Sequence, residues 1–245
     1  MLTCIQQKHT TRRSPSLSTI NLHTPPLLLD IHTHHAPTDP GSAIVCREPD
    51  GFDPDERGWF SVGIHPWAVH ASSLPDLSPV ARLASAPNVL AIGETGIDHM
   101  HDTPLALQME LCRMHALLAE RLQKPLILHM VRSAQEVMAL KRDVRPAVPW
   151  IVHGFRGKPA LARQLLDHGF LLSFGFRFNP AALVATPPDR LLLETDDATD
   201  DIRRLYAQVA ALRGVSSDEL ISSTQANIAR VFFAGRPIDT LSQVD

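Results

Sequence analysis

The chain has 245 residues, the ordinary size of one α/β barrel, so its length does not call for two domains. Hydrophobic residues make up 44% and charged residues 20%, enough apolar material for a packed core, and no apolar run is long enough to span a bilayer. Three scattered cysteines, Cys4, Cys46 and Cys112, argue against a disulfide framework or a thiolate metal site and for free thiols in a reducing, cytoplasmic compartment.

Charge is unevenly placed. Residues 1–29 hold Lys8, Arg12 and Arg13 and no acid. Removing those three from the 23 basic residues leaves 20 against 26 acidic ones, a formal charge of −6 for the remainder. That balance argues against a broad basic face gripping duplex nucleic acid. The tail is rich in Ser and Thr, a composition shared by transit peptides, disordered extensions and starts assigned too early. We expect a disordered extension over 1–26, closed by Pro25-Pro26, and one domain over 27–245.

Within that domain, short apolar runs alternate with helical patterns, as in βα units around a parallel sheet. The runs are Leu27–His32, Ala43–Arg47, Trp59–Ile64, Val89–Gly93, Pro125–His129, Trp150–His153, Phe170–Phe174 and Arg190–Glu194. Eight such strands close a barrel, so the fold class is α/β, a TIM-like (β/α)8 barrel. Thr33–Ser42 is too short for a crossover helix and Glu48–Gly58 has the composition of a loop. The barrel is therefore expected to be trimmed or distorted across residues 33–58. From Pro104 to Gln123, Leu105, Met109, Cys112, Ala116 and Ala119 recur at helical spacing, with Leu111, Leu118 and Leu122 widening the stripe. Thr199, Asp200 and Asp201 suit a helix start that runs to Gly214, and Ser216 with Glu219 forms a capping box for a last helix.

The chemistry-bearing residues sit at strand ends. In Asp30-Ile31-His32-Thr33-His34, residues two apart point the same way, so His32 and His34 can face one ion. Thirteen histidines make one such pair unremarkable by chance. Position is the stronger signal: His32, Glu94, His129, His153 and Asp196 each lie at or just beyond the end of a strand, where barrel active sites form. Four imidazoles and two carboxylates exceed the needs of one tetrahedral ion, which implies two divalent ions among Zn, Mn, Mg, Ni and Co. Glu94 can bridge them, and Asp196 is placed to accept a proton from an activated water.

In chain order, Asp30-x-His32-x-His34, Gly63-Ile64-His65-Pro66-Trp67, Ala91-Ile92-Gly93-Glu94-Thr95-Gly96-Ile97-Asp98, His129 after Pro125-Leu126-Ile127-Leu128, His153-Gly154-Phe155 and Leu192-Leu193-Glu194-Thr195-Asp196 form a specific set. With these motifs, over about residues 28–233, the chain resembles the TatD family of metal-dependent deoxyribonucleases. The resemblance implies one ion on His32, His34, Glu94 and Asp196, a second on Glu94, His129 and His153, and 3′-to-5′ hydrolysis of single-stranded DNA. Departures fall on the rim. Asp197-Ala198-Thr199 runs straight toward a helix where members carry a Pro-Tyr-rich stretch, the segment after His153 reads Gly154-Phe155-Arg156-Gly157-Lys158, and Arg132 stands three residues after His129 instead of two.

Arg156 reads equally as a phosphate contact or a solvated turn, as does Lys158, and His65 as a substrate contact at the mouth of the third strand. His35, His70, His99, His101, His115 and His168 read as surface or packing residues, Asp98 as a brace for the Glu94 loop, and Trp67 and Phe155 as packing at the rim or a stacking surface. The leading expectation is a cytoplasmic, monomeric phosphodiesterase acting on DNA 3′ ends, with no membrane association. An ester or amide hydrolase for a small molecule or an aminoacyl ester is the second. A degenerate, non-enzymatic barrel ranks last, because none of the six ligands is missing.

Overall fold

The computed structural model describes residues 27–69 and 73–234. The extension expected over 1–26, His70 and the end of the domain beyond 234 lie outside the described residues. Eight strands occur in the order read from the sequence: β1 (Asp30–Thr33), β2 (Ala43–Arg47), β3 (Trp59–Val62), β4 (Val89–Asp98), β5 (Leu126–Val131), β6 (Trp150–Val152), β7 (Leu171–Phe174) and β8 (Leu191–Leu193). Each pairs in parallel with its sequence neighbour, and a bridge between Thr33 and Asp196 brings the end of β8 back to β1. The helices are α1 (Ser78–Leu83), α2 (Leu105–Leu122), α3 (Ala134–Val144), α4 (Pro159–Asp167), α5 (Pro180–Ala185), α6 (Ile202–Arg213) and α7 (Ser217–Phe232). No helix connects β1 to β2 or β2 to β3, which is the expected trimming across 33–58. No helix of the described residues is long and apolar enough to cross a membrane.

The inner face of the barrel is built in two storeys. Ile44, Trp59, Ala91, Ile127, Ile151, Leu171 and Leu192 form one apolar cluster, sealed by Ile228, Val231, Phe232 and Phe233 from the end of α7. Alternate residues of a strand face the same way. Seating that apolar storey therefore fixes what stands two residues further on: Cys46, Ser61, Gly93, His129, His153, Ser173 and Glu194. The rest of the apolar core joins the alternate strand residues, among them Val45, Phe60, Leu128, Val152 and Leu172, to the buried faces of the helices.

β4 departs from this alternation, and the sequence reading of it needs correcting. The strand does not end at Gly93 but runs to Asp98, with its register against β5 shifting between Ile92 and Thr95. Glu94 thus enters the barrel mouth from mid-strand, and His129 likewise lies within β5, two residues before its end. The close approach requires glycine. Gly96 has φ 155°, and a Cβ there would collide with the His129 carbonyl oxygen.

α2 buries most of its expected stripe: Leu111, Cys112, Ala116, Leu118 and Ala119 face inward, while Met109 is exposed and Gln108 and His115 complete the buried face. Gln108 closes the end of β4. It accepts from Asp98 N at 2.7 Å and donates to the carbonyls of Asp98 and Thr103. His115 is fully buried on the same face and receives the Ile64 N–H at 3.0 Å on Nε2, so Nδ1 carries the proton that is donated to Leu111 O at 2.9 Å. Downstream, Asp201 caps α6, Gly214 ends it in the left-handed region, and Ser216 and Glu219 make the full capping box of α7.

Two outcomes follow for stability. Gly96→Ala should lower it by about 2–4 kcal/mol, since strained φ and backbone overlap add, and denaturant unfolding measures this directly. Burial pushes His115 down from 6.5 to about 4, so the folded state holds the neutral ring while the unfolded chain takes a proton below 6.5. Its contribution is complete above 6.5 and declines by about 1.4 kcal/mol per pH unit as pH falls toward 4. His115→Leu strands the Ile64 N–H and should cost about 1–3 kcal/mol at pH 7, a deficit that narrows at pH 5 in urea titrations.

Candidate metal centre

Backbone bonds between β1 and the segment after β8 set one wall of the site. Asp196 N donates to His32 O at 3.0 Å and His34 N donates to Asp196 O at 3.2 Å, with Asp196 itself at φ 58°. Asp30 locks this junction. Its carboxyl accepts from Thr195 N at 3.1 Å, Thr195 Oγ1 at 2.6 Å and His32 N at 3.2 Å, and burial pushes it up to about 7.

Glu94 stands at the centre, almost completely buried, and its two oxygens divide the imidazoles into two groups. Oε2 lies 3.5 Å from His32 Nε2 and 3.4 Å from His34 Nε2, and the same two nitrogens are 3.9 and 3.7 Å from Asp196 Oδ1. Oε1 lies 2.6 Å from His153 Nε2, 2.8 Å from His129 Nδ1 and 3.4 Å from His65 Nε2. All six residues read from the sequence as ligands are therefore brought together, with His65 beside them.

The rings are aimed by partners that sequence reasoning did not assign. Glu194, fully buried, accepts from Gly154 N at 2.5 Å and meets His153 Nδ1 at 3.2 Å. Asp98 and Glu94 belong to the same strand, so there is no Glu94 loop to brace, and Asp98 Oδ1 instead accepts from Met100 N at 2.7 Å in the turn after β4. Its Oδ2 accepts from Trp67 Nε1 at 2.8 Å and meets His129 Nε2 at 3.2 Å. Cys46 Sγ receives the Glu94 N–H at 3.4 Å, and burial pushes that thiol up to about 12, so it stays protonated. The only sequence signal for Glu194 and Cys46 was their place two residues beyond a buried apolar position on the same strand.

Electrostatics follow from this packing. Burial raises the Glu94 carboxyl, but the His153 charge and hydrogen bonds from His129 and His153 outweigh it and hold it well below the usual range. Burial disfavours a charged His153, yet Glu94 and Glu194 together raise it well above the ordinary histidine value. A hydrogen bond to Glu94 raises His34, and burial raises Asp196.

The residues fit a divalent cation. Within 4.8 Å, ligand atoms group as His32, His34 and Glu94, as His32, His153 and Asp196, as His65, Glu94 and His129, and as His34, Asp196 and Asp197. His32 supplies the sharpest indication: its ring is fully buried and neither nitrogen has a hydrogen-bond partner, an expense that coordination removes. Mixed imidazole and carboxylate donors suit Zn, Mn, Ni or Co.

Above this cluster opens a cleft of about 1040 Å³ whose lining includes Glu94, Trp67 and three arginines, Arg132, Arg156 and Arg177. All three arginines are exposed, and Arg156 reaches to 3.7 Å from Asp196 Oδ2. Lys158 precedes α4 and does not line the cleft. Phe155 is buried against Phe174, whereas Trp67 is half exposed and is not core packing. Among the other histidines, His115 is core, His99 pairs with Glu136 at 3.0 Å, and the rings of His35 and His168 bond the carbonyls of Asp197 and Gln164.

Comparison with known proteins agrees with this geometry. Residues 53–233 match the model of the TatD related DNase family. The chain is 30% identical over 196 residues to the metal-dependent hydrolase YabD of Bacillus subtilis, covering 71% of this chain and 77% of YabD. It is 27% identical over 203 residues to the 3′-5′ ssDNA/RNA exonuclease TatD of Klebsiella pneumoniae, covering 71% and 76%. Among solved structures, the TatD homologue YJJV of Escherichia coli superposes with a TM-score of 0.71 at 20% identity, over 84% of this chain and 98% of that one, which speaks for the shared fold. The chain belongs to the TatD family of metal-dependent hydrolases.

Proposed function

We propose that this protein is a two-metal phosphodiesterase that removes nucleotides from the 3′ ends of single-stranded DNA. The observation that carries this reading is the division of ligands by Glu94, set beneath a cleft ringed by arginines. His32, His34 and Asp196 gather on one side of Glu94 and His129 and His153 on the other, which supports one ion on each side with Glu94 between them. Bound divalent ions supply Lewis-acid polarisation of the phosphoryl group and lower the pKa of the attacking water.

The chain's own residues do the rest. Asp196 takes the proton of that water; burial raises its carboxyl, moving it toward the range a general base needs. Its Oδ2 pairs with Arg156 at 3.7 Å, and the exposed guanidinium has further donors for a non-bridging phosphate oxygen as charge develops. His65, with Nδ1 occupied by the Trp67 N–H at 3.2 Å, presents Nε2 to the same space as a substrate contact. Glu194 and Asp98 hold His153 and His129 in the required tautomers. Hydrolysis of a small ester or amide uses the same machinery, but does not call for three exposed arginines around one cleft.

With Mg²⁺ or Mn²⁺, end-labelled single-stranded DNA should shorten stepwise from its 3′ end, and Asp196→Asn should lower the rate by about 10²-fold or more. Intact DNA beside protein with two bound ions would sink the nuclease reading and direct the search to esters and amides. Glu94→Ala should abolish binding of both ions, as metal analysis of the dialysed protein will show; retention of two ions would overturn the bridging assignment.

A further inference from the structure

Trp67 is built in a way that packing does not explain. It is 52% exposed and is the only aromatic among the exposed large hydrophobic side chains of the described residues. A solvent-facing tryptophan is ordinarily free to move, but this one is held at several points. Its Nε1–H donates to Asp98 Oδ2 at 2.8 Å and its backbone N–H donates to His65 Nδ1 at 3.2 Å. The His101 ring stacks on it at 5.4 Å with planes 14° apart, and His101 is itself fixed by Thr103 at 2.8 Å. The His65 ring meets it edge-on at 4.7 Å, and the His129 ring at 5.9 Å. The indole is thus a rigid apolar plate one imidazole away from Glu94, lining the same cleft as Arg132, Arg156 and Arg177.

Leaving such a surface wet is costly, and fixing it in advance removes the ordering cost of using it. A plate of π-surface in a cleft that three arginines also line matches a ligand that is itself planar and apolar on its faces and anionic along its backbone. We infer that Trp67 is a stacking platform for the nucleobase adjoining the scissile phosphodiester, with the arginines taking the flanking phosphates. Stacking is tolerant of base identity, so the platform gives affinity for single strands without sequence preference. Paired bases cannot reach it, because their faces are covered by neighbours in the duplex. The inference rests on the phosphodiesterase reading of the site and names the part of the substrate that reading leaves unassigned.

The chain contains three tryptophans, and the other two, Trp59 and Trp150, are 7% and 0% exposed, so a quencher bound in the cleft acts on Trp67 alone. Asp196→Asn protein loaded with Mg²⁺, in which turnover is suppressed, should show saturable quenching of tryptophan emission by a short deoxyadenosine oligonucleotide. Adding Trp67→Leu should weaken binding of a fluorescein-labelled oligonucleotide, read by anisotropy, by about tenfold. Trp67→Phe keeps a ring but loses the hydrogen bond to Asp98, and should retain most of the affinity. An oligonucleotide with abasic tetrahydrofuran units at its 3′ end should bind the Leu variant and its parent equally.

Binding that is unchanged by Trp67→Leu, or a Leu penalty that persists on the abasic strand, would overturn the platform while leaving the nuclease reading intact. Equal losses in the Phe and Leu variants would also overturn it and assign Trp67 to the positioning of Asp98. Failure of the wild-type protein to cleave or bind any oligonucleotide would remove the nuclease reading and the platform together.

Discussion

Glu94 is a carboxylate almost wholly removed from water, and among the described residues no lysine or arginine pairs with its oxygens. A buried anion persists only where positive charge or hydrogen-bond donors compensate its lost hydration. Here His129 and His153 bond it directly, and His32, His34 and His65 stand 3.4–3.5 Å away, so that the spacing of five imidazoles about its two oxygens sets the shape of the whole site. An imidazolium proton and a divalent ion offer the same thing to those oxygens, so each excludes the other. The neighbouring acids make sense in this light. Glu194 and Asp98 each bond the far nitrogen of a ring whose near nitrogen faces Glu94, which keeps His153 and His129 aimed inward.

Such a cluster cannot be assembled without a frame that fixes several strand registers at once. The apolar storey at the bottom of the barrel supplies it. Sliding β5 by one residue would turn Ile127 and His129 outward together, so burying the isoleucine and presenting the histidine are one constraint. β6 and β8 couple Ile151 to His153 and Leu192 to Glu194 in the same manner. β4 is the exception: its register shift carries Glu94 inward out of phase with Ala91, and Gly96 lets the strand lie against the His129 backbone. The most demanding ligand therefore sits on the least regular strand.

These two kinds of strand explain what was legible in the sequence. Eight apolar runs with turn signals gave the barrel, its order and its missing helices, since burial on both faces leaves a plain compositional trace. Five of the six candidate ligands were read from their recurrence near strand ends and His34 from its spacing to His32, and the capping box of α7 from its local side-chain chemistry. Glu94 was placed correctly in space but wrongly in its strand, because a register shift has no local signature beyond its glycines. Glu194, Asp98 and Cys46 were not assigned as partners, since their importance lies in which ring or amide they meet across the barrel. On α2 the apolar stripe was legible except at Met109, which is exposed, whereas buried Gln108 was not, because a polar residue drawn inward by two distant carbonyls does not enter a hydrophobic pattern.

The charge of the chain takes on a different meaning once the cleft is known. An acidic body spoke against a duplex binder. The three arginines of the cleft are instead concentrated within a single opening, together with one rigid indole. The same opening holds the carboxylates of Glu48, Glu94, Asp196 and Asp197, so its pull on an anion depends on the divalent ions that the imidazoles and carboxylates would hold. Under the proposed reading, a single strand entering by its terminus places only its end at those charges and leaves the rest of its length in solvent, away from the acidic body.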